Sequence, residues 1–359
     1  MVYSALQRLS CGIFSAARKV AGFFRERIHA RPGLAAWFYP RDETASPDSD
    51  YRAFNQNYFA RFEEQEKMLA DQPRMDFYHA AITGKVRPGD RVIDLGTGTG
   101  ILAAFASRCG AAQVYAIDHS GILKHARRLA AHNQIENVEF ISSHSKNFTL
   151  PEKVDVILHE QMGDFLFDEA MVPNVLDLRD RLLKPGGSIV PNLFEFYCEP
   201  VQLTERRRIP FIWELNVHGY DYSCLERSRP QDPRYYRLGS CDLGVVRHFL
   251  GQPEPALRLD LQTLQAADLP REIRITRRVV NPGRLDGFAI YFKASVGDSL
   301  SLSSSPLDAG RAPHWAYRLL RTDTREFAGG DTIDLTLSVH DWTDPDTWRW
   351  DFNPSPSVT

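Results

Sequence analysis

Two glutamates, Glu160 and Glu169, bracket a glycine-containing stretch, His159-Glu-Gln-Met-Gly-Asp-Phe-Leu-Phe-Asp-Glu-Ala-Met171. Two opposed carboxylates match a guanidinium, which is planar, always charged and carries five forked N–H donors. Such a pair would hold one guanidino nitrogen in place and leave its lone pair directed at an electrophile. Acids in a surface loop are more often simply solvated, and Asp164 and Asp168 of the same stretch fit that description. A second chemical feature lies upstream. In Arg91-Val-Ile-Asp-Leu-Gly-Thr-Gly-Thr-Gly-Ile-Leu102, the glycines Gly96, Gly98 and Gly100 alternate between an apolar run and an Ala-rich segment. Glycines at a strand-to-helix turn let the backbone pass close to a ligand, since no Cβ blocks the approach. A dinucleotide site would want G-x-G-x-x-G; here the third glycine comes one residue early and an acid, Asp94, precedes the first by two. No G-K-[ST] follows, which excludes a P-loop.

These residues need a scaffold that brings strand ends together. Residues 92–95 read as the end of a buried parallel strand, and 101–108 as the helix that follows. The runs 114–117, 138–141, 154–158 and 188–190 are further β-prone segments separated by helical ones, which predicts a doubly wound parallel sheet. In such a sheet, ligands sit beyond the carboxyl ends of the strands. The second strand end carries Asp118, 18 residues after Gly100, where a carboxylate can accept from both hydroxyls of a ribose. After the third strand, Asn147 and its neighbours His144, Ser145 and Lys146 fall where an adenine ring would lie. Residues 50–82 read as helix with a break at Pro73. Beyond Pro191 the pattern changes to strands and turns (194–203, 272–280, 288–296, 332–339), which predicts a mostly antiparallel β domain. The expected division is therefore 1–49, 50–191 and 192–359.

The composition limits the function classes. With 359 residues, 43% hydrophobic and 25% charged, the chain is an ordinary globular protein long enough for two domains. A net charge of −3 gives no reason to expect nucleic acid as a partner. Five scattered cysteines, Cys11, Cys109, Cys198, Cys224 and Cys241, form no C-x-x-C, which argues against a disulfide framework or a metal site and for a reducing cytoplasm. The first 40 residues are basic, with Arg8, Arg18, Lys19, Arg25, Arg27 and Arg31 against one acid, Glu26. A surface helix is the preferred reading there, over a membrane-surface helix or an organelle presequence. Residues 41–50 read as a polar linker.

The glycine turn resembles motif I of the class I S-adenosylmethionine-dependent methyltransferases. A narrower resemblance adds Tyr58-Phe-Ala-Arg-Phe, Met68-Leu-Ala-Asp-Gln-Pro-Arg74, the double-glutamate loop, Trp213-Glu-Leu-Asn-Val-His-Gly-Tyr-Asp-Tyr-Ser-Cys-Leu225 and His314-Trp315. Together these resemble the protein arginine methyltransferases, from about Asp50 to the C-terminus. The resemblance implies a Rossmann-like sheet followed by a β-barrel domain with a dimerisation arm at 206–225, and a head-to-tail homodimer. It implies S-adenosylmethionine as cofactor, held by Asp94, the three glycines, Asp118 and Ser145, with Arg74 on its carboxylate. Tyr58 or Phe62 would lie on a helix closing over it. Asp71 and His314 would form an acid–histidine pair linking the N-terminal helices to the β domain. Met68, Met171 and Trp315 would line the acceptor pocket. The chain departs from the family at Gln161 (usually Trp), Asp164 (usually Tyr), Pro313 (usually Thr) and Lys146 (commonly Glu), and its closing helix is about three residues short.

The implied reaction is direct displacement, a guanidino nitrogen of a protein arginine attacking the sulfonium methyl, with asymmetric dimethylarginine as the expected product. An arginine pKa above ~12 makes positioning and electrostatics the main source of rate. Glu160 or Glu169 would accept the proton, and Asp71–His314 would relay it or serve as a structural ion pair. Two other readings remain open at this level: a methyltransferase for free arginine or another small guanidino compound, with Asp164 meeting an extra cation, and a non-catalytic dimeric scaffold.

Overall fold

Five short apolar strands build a parallel sheet: β1 (Arg91–Leu95), β2 (Gln113–Asp118), β3 (Val138–Ser142), β4 (Val154–His159) and β5 (Leu183–Val190), in the order β3-β2-β1-β4-β5. The computed structural model describes residues 58–354, so the readings made for 1–49 and the start of the expected 50–82 helix lie outside the described residues. Residues 92–95 are all buried, as expected for a central strand covered on both faces. Strand order reverses between β1 and β4, which places the ligand crevice beyond the carboxyl end of β1, where the glycines stand.

Among the described residues, five helices accompany this sheet. Helices α1 (Phe62–Ala70) and α2 (Gln72–Lys85) precede it, and α3 (Ile101–Arg108), α4 (Leu123–His132) and α5 (Met171–Leu182) alternate with its strands. The break between α1 and α2 falls at Asp71, two residues before the expected Pro73. Asp71 is the N-cap of α2, its carboxylate accepting from Arg74 N, while Pro73 occupies the first turn, where a missing N–H costs nothing. Strand β5 begins five residues earlier than the sequence suggested. Its Pro185-Gly-Gly reads as a turn, yet it lies on a sheet edge with a register shift against β4, where Pro and Gly are tolerated.

From Leu193 onward the chain is antiparallel. The strands Leu193–Leu203, Gly283–Val296, Tyr317–Phe327 and Arg237–Ser240 pair in that order within a seven-stranded sheet, and Glu272–Arg278, Thr332–Ser338 and Arg349–Pro354 form a three-stranded one. An isolated bridge joins Gly251 and Val279, just beyond strands of the two sheets, and together the sheets make up the mostly antiparallel β domain that the sequence predicted. Glu272–Arg278 alternates exposed and buried residues along its length. Its one inward charge, Arg277, is matched by the fully buried Glu199 through Nε (2.8 Å) and Nη2 (2.7 Å). One large hydrophobic core runs through both halves, and a smaller cluster around Phe249, Tyr291 and Tyr317 lies within the β domain. Phe167, from the loop after β4, packs against Phe196 and Trp342 of the β domain at 5.7 and 4.4 Å between ring centroids.

Candidate active site

The glycine loop is held by its own neighbours. Gly96, Gly98 and Gly100 all have left-handed φ (72°, 55° and 87°), and Gly100 is the N-cap of α3. Asp94 is fully buried at the end of β1. One of its oxygens accepts from Thr97 Oγ1 (2.6 Å) and Ala103 N (3.0 Å), tying the loop to α3. Its other oxygen is buried without a hydrogen-bond partner, and burial pushes the carboxyl up to about 7. Asp118 accepts from Gly98 N (3.0 Å) and Ser120 N (2.7 Å) on separate oxygens, which fixes the carboxylate over the loop with further lone pairs to offer. Ser145 is buried at the start of a 3₁₀ turn (Ser145–Asn147), and its carbonyl accepts from Arg181.

Helix α1 covers the loop through a residue the sequence reading did not single out. A Cβ on Gly98 would lie 3.0 Å from Oε1 of the buried Gln65, whose Nε2 donates to Phe59 O. Phe62, one of the two expected closing residues, is 55% exposed and meets the His125 ring of α4 edge-on. The other, Tyr58, has its phenol pushed up by burial and a hydrogen bond with Glu64, and feels Asp164 and Glu169.

Arg74 joins the two halves of the site. It is buried in the first turn of α2, donates from Nη1 to Met68 O (2.9 Å) and pairs through Nη2 with Glu160 Oε2 (3.0 Å). Its Nε is buried without a partner. The double-glutamate loop follows β4. Gly163 and Leu166 bridge as a tight hairpin, and a Cβ on Gly163 would overlap the Asp168 carboxylate, 2.0 Å from Oδ1. Leu166 (φ 72°) and Ala170 (φ 55°) adopt left-handed conformations that side-chain-bearing residues avoid; such strain, costing about 1–3 kcal/mol per residue, concentrates at functional sites. Burial raises both catalytic candidates. The Arg74 charge partly offsets this at Glu160, whereas Glu169 is pushed well above the usual carboxylate range by burial and then by the charge of Glu160. Met171, the first residue of α5, is fully buried, as is nearly all of Met68.

The β domain reaches into this loop with consecutive residues. Trp315 Nε1 donates to Met162 O, Ala316 N to Asp164 Oδ1 (2.8 Å), and Arg318 Nη2 to Asp164 Oδ2. The expected Asp71–His314 link exists, but as a bond from the His314 main-chain N–H to Asp71 Oδ2 (2.9 Å). The imidazole is driven down to about 3 by burial and by the charges of Arg74 and Lys67, which favours its neutral form. In the 206–225 segment, Phe211 and Trp213 are buried and stack on each other (4.6 Å). The large apolar side chains left exposed there are Ile209 (61%), Ile212 (43%), Val217 (42%) and Tyr220 (75%).

Comparison with known proteins agrees with this geometry. A family model described as a methyltransferase domain matches residues 92–187. The chain is 30% identical to protein arginine N-methyltransferase 10 of Oryza sativa subsp. japonica over 318 residues, covering 79% of this chain and 83% of that protein. It is 32% identical to protein arginine N-methyltransferase 6 of Xenopus tropicalis over 293 residues, covering 77% and 84%. The crystal structure of Arabidopsis thaliana protein arginine methyltransferase 10 superposes with a TM-score of 0.67 at 27% identity, covering 79% of this chain and 89% of that one. A Trypanosoma brucei enzyme–prozyme heterotetrameric complex with AdoHcy shares the fold, with a TM-score of 0.71 at 21% identity over 84% and 96% of the two chains.

Proposed function

The chain belongs to the protein arginine N-methyltransferase family, and from that premise we propose which of its residues carry the reaction and what product they form. It is an S-adenosylmethionine-dependent enzyme acting on arginine in protein. When bound, S-adenosylmethionine supplies an electrophilic methyl group on a sulfonium.

Residues of the chain suit that cofactor. The left-handed glycines open the end of β1, Asp118 has acceptor capacity for a ribose, and Ser145 lines the next strand end. Arg74 Nε and one Asp94 oxygen are buried polar atoms lacking partners, a donor and an acceptor for the polar amino-acid end of the ligand. The incoming guanidinium is held by Glu160 and Glu169, which orient one nitrogen toward the methyl. Glu169 would accept the proton that the guanidino nitrogen loses on methylation. Its burial and the neighbouring Glu160 charge favour protonation there, while Arg74 opposes it at Glu160. Asp71 and His314 act as positioning groups rather than as a relay. The observation that carries this reading is the strained loop that brings Glu160 and Glu169 to one buried site beside Arg74.

Asp164 motivated a small-molecule acceptor, but its carboxylate is already engaged by Ala316 N–H and Arg318. Met68 and Met171 support asymmetric dimethylation, since unbranched methionines can yield space to a methyl already attached. The exposed apolar side chains of the 206–225 segment support a homodimer built through it, and the unpaired cysteines support a cytoplasmic location. Labelled methyl donor with an Arg-Gly-rich peptide or free arginine tests the acceptor: transfer to free arginine alone overturns the protein-substrate reading. Fragmentation of the methylated peptide tests the product. Loss of dimethylamine is expected, and monomethylarginine alone after exhaustive reaction overturns it. Sedimentation tests the arm: replacing 206–225 by a short linker is expected to give a monomer, and an intact protein that is already monomeric at micromolar concentration defeats the assignment.

A further inference from the structure

The double-glutamate loop holds four acids, Glu160, Asp164, Asp168 and Glu169, within ten residues. Arg74 meets the first. The tip of the loop has a guanidinium of its own, from a residue no motif pointed to. Arg318, on the strand Tyr317–Phe327, pairs with Asp164, and its Cζ lies 5.4 Å from the centroid of the Phe165 ring. A second guanidinium, Arg237, lies 5.7 Å from the same ring, so Phe165 has two cationic neighbours. The path of the Arg318 side chain is built into the adjacent strand. Arg318 stands opposite Gly239 in the antiparallel ladder, and a Cβ at 239 would lie 2.6 Å from Arg318 Nη1 and 3.2 Å from Cζ. The glycine is needed there for space.

We propose that Arg318, laid across Gly239 and joined to Asp164, is a positioning residue for methyl transfer, fixing the tip of the loop that presents Glu160 and Glu169. The proposal rests on the arginine methyltransferase reading of that loop. Three donors from 315–318 reach the loop between its two glutamates, so a shift of Arg318 moves the carboxylates relative to each other. Displacements near 1 Å at a reacting pair cost about a hundredfold in rate. The charged and titratable groups around the pair are Asp168 and Glu169 of the same loop, Tyr58, Lys67 of α1, and Cys241 and Arg311 of the β domain. Asp168 is pushed up to about 6 by burial and by Asp164, with Arg318 opposing.

Initial rates on an Arg-Gly-rich peptide across pH, with cofactor affinity measured in parallel, test the proposal. Arg318→Met and Gly239→Ala are each expected to lower kcat about ten- to hundredfold with cofactor affinity unchanged. The second variant removes no charge and displaces only the side chain. Arg318→Met should move the acid limb of kcat/KM to higher pH, because the loop acids lose an offsetting charge. Asp164→Asn should move it lower, because it removes a negative charge from beside Glu169 and Asp168. Arg318→Lys should restore the limb while recovering kcat only in part. A purely structural clamp predicts no opposed shifts. Parent-like kcat in both Arg318→Met and Gly239→Ala, or limb shifts of the same sign in Arg318→Met and Asp164→Asn, overturns the proposal. If the parent protein itself does not methylate the peptide, the reaction assignment fails instead. Peptide affinity of the AdoHcy-loaded protein, expected to fall in Arg318→Met and Gly239→Ala, then reads the loop, and unchanged affinity in both overturns the positioning role.

Discussion

The cofactor end and the acceptor end of the site are built by opposite strategies. At the cofactor end, the bonds that shape the loop join residues close in sequence: Asp94 to Thr97 and Ala103, and Asp118 to Gly98 and Ser120, with at most 20 residues between partners. At the acceptor end, the shaping bonds span 152 to 243 residues and all come from the segment 314–318. The first arrangement forms as soon as the parallel sheet does. The second exists only when the β domain sits against it. Cofactor binding and catalysis should therefore be separable by substitution.

The sharpest way to break this comparison is at the glutamates. Glu160→Gln and Glu169→Gln are each expected to lower kcat by about a hundred- to thousandfold, the scale for removing one preorganised electrostatic contact. Titration calorimetry should find cofactor affinity nearly unchanged, and a parallel loss of affinity would merge the two ends into one unit. Buried groups around the site also respond to pH with opposite sign. His159 is fully buried, donates from Nε2 to Pro191 O and is held down at about 4, while His314 is held down at about 3. Unfolded histidines take up protons below about 6.5, so these two make stability fall as pH drops from there toward 4. Asp94, raised to about 7, acts the other way: the folded state binds the extra proton, and its contribution fades as pH rises from about 4 to 7. Denaturant melts from pH 4 to 7 should thus show Asp94→Asn steepening the rise of stability with pH and His159→Asn flattening it, by roughly 2–3 kcal/mol at the extremes. Equal slopes in both variants and the parent would remove these groups from the account.

Smaller effects sharpen the contrast. Asp118→Ala is expected to weaken S-adenosylmethionine by roughly 1–3 kcal/mol without moving the peptide KM; unchanged affinity would put the ribose elsewhere. Asp71→Ala removes both a helix cap, worth about 1 kcal/mol, and the bond to His314 N–H. It should lower the melting temperature slightly and kcat by about tenfold while sparing the cofactor. A variant that loses cofactor affinity instead would show α2 serving the other end.

What the sequence disclosed follows the same division. Asp94, the three glycines and Asp118 were legible because strand period, glycine spacing and strand-end position are local signals, and the parallel sheet came with them. Glu160 and Glu169 were legible through their own loop and the resemblance it supports. Arg318 and Gly239 were not, since nothing in the order of residues says that one strand leaves space for its neighbour's arginine. Gln65 escaped for a similar reason: its role depends on where α1 lies over Gly98. The Asp71–His314 link was read correctly as a connection and incorrectly as a side-chain pair, because main-chain donors carry no residue-type signature.

The packing of Phe167 against Phe196 and Trp342 bears on how such a molecule can be inherited. The segment matching a general methyltransferase domain ends at residue 187, close to where the parallel sheet ends. A chain cut there would carry the glycine turn and both glutamates, yet Phe167 would lose those two ring partners to water. The end of that match is therefore not a border of autonomy. Exchanging the C-terminal half with that of a relative should succeed only when the aromatic seam is exchanged as a set, so the two halves are constrained to change together.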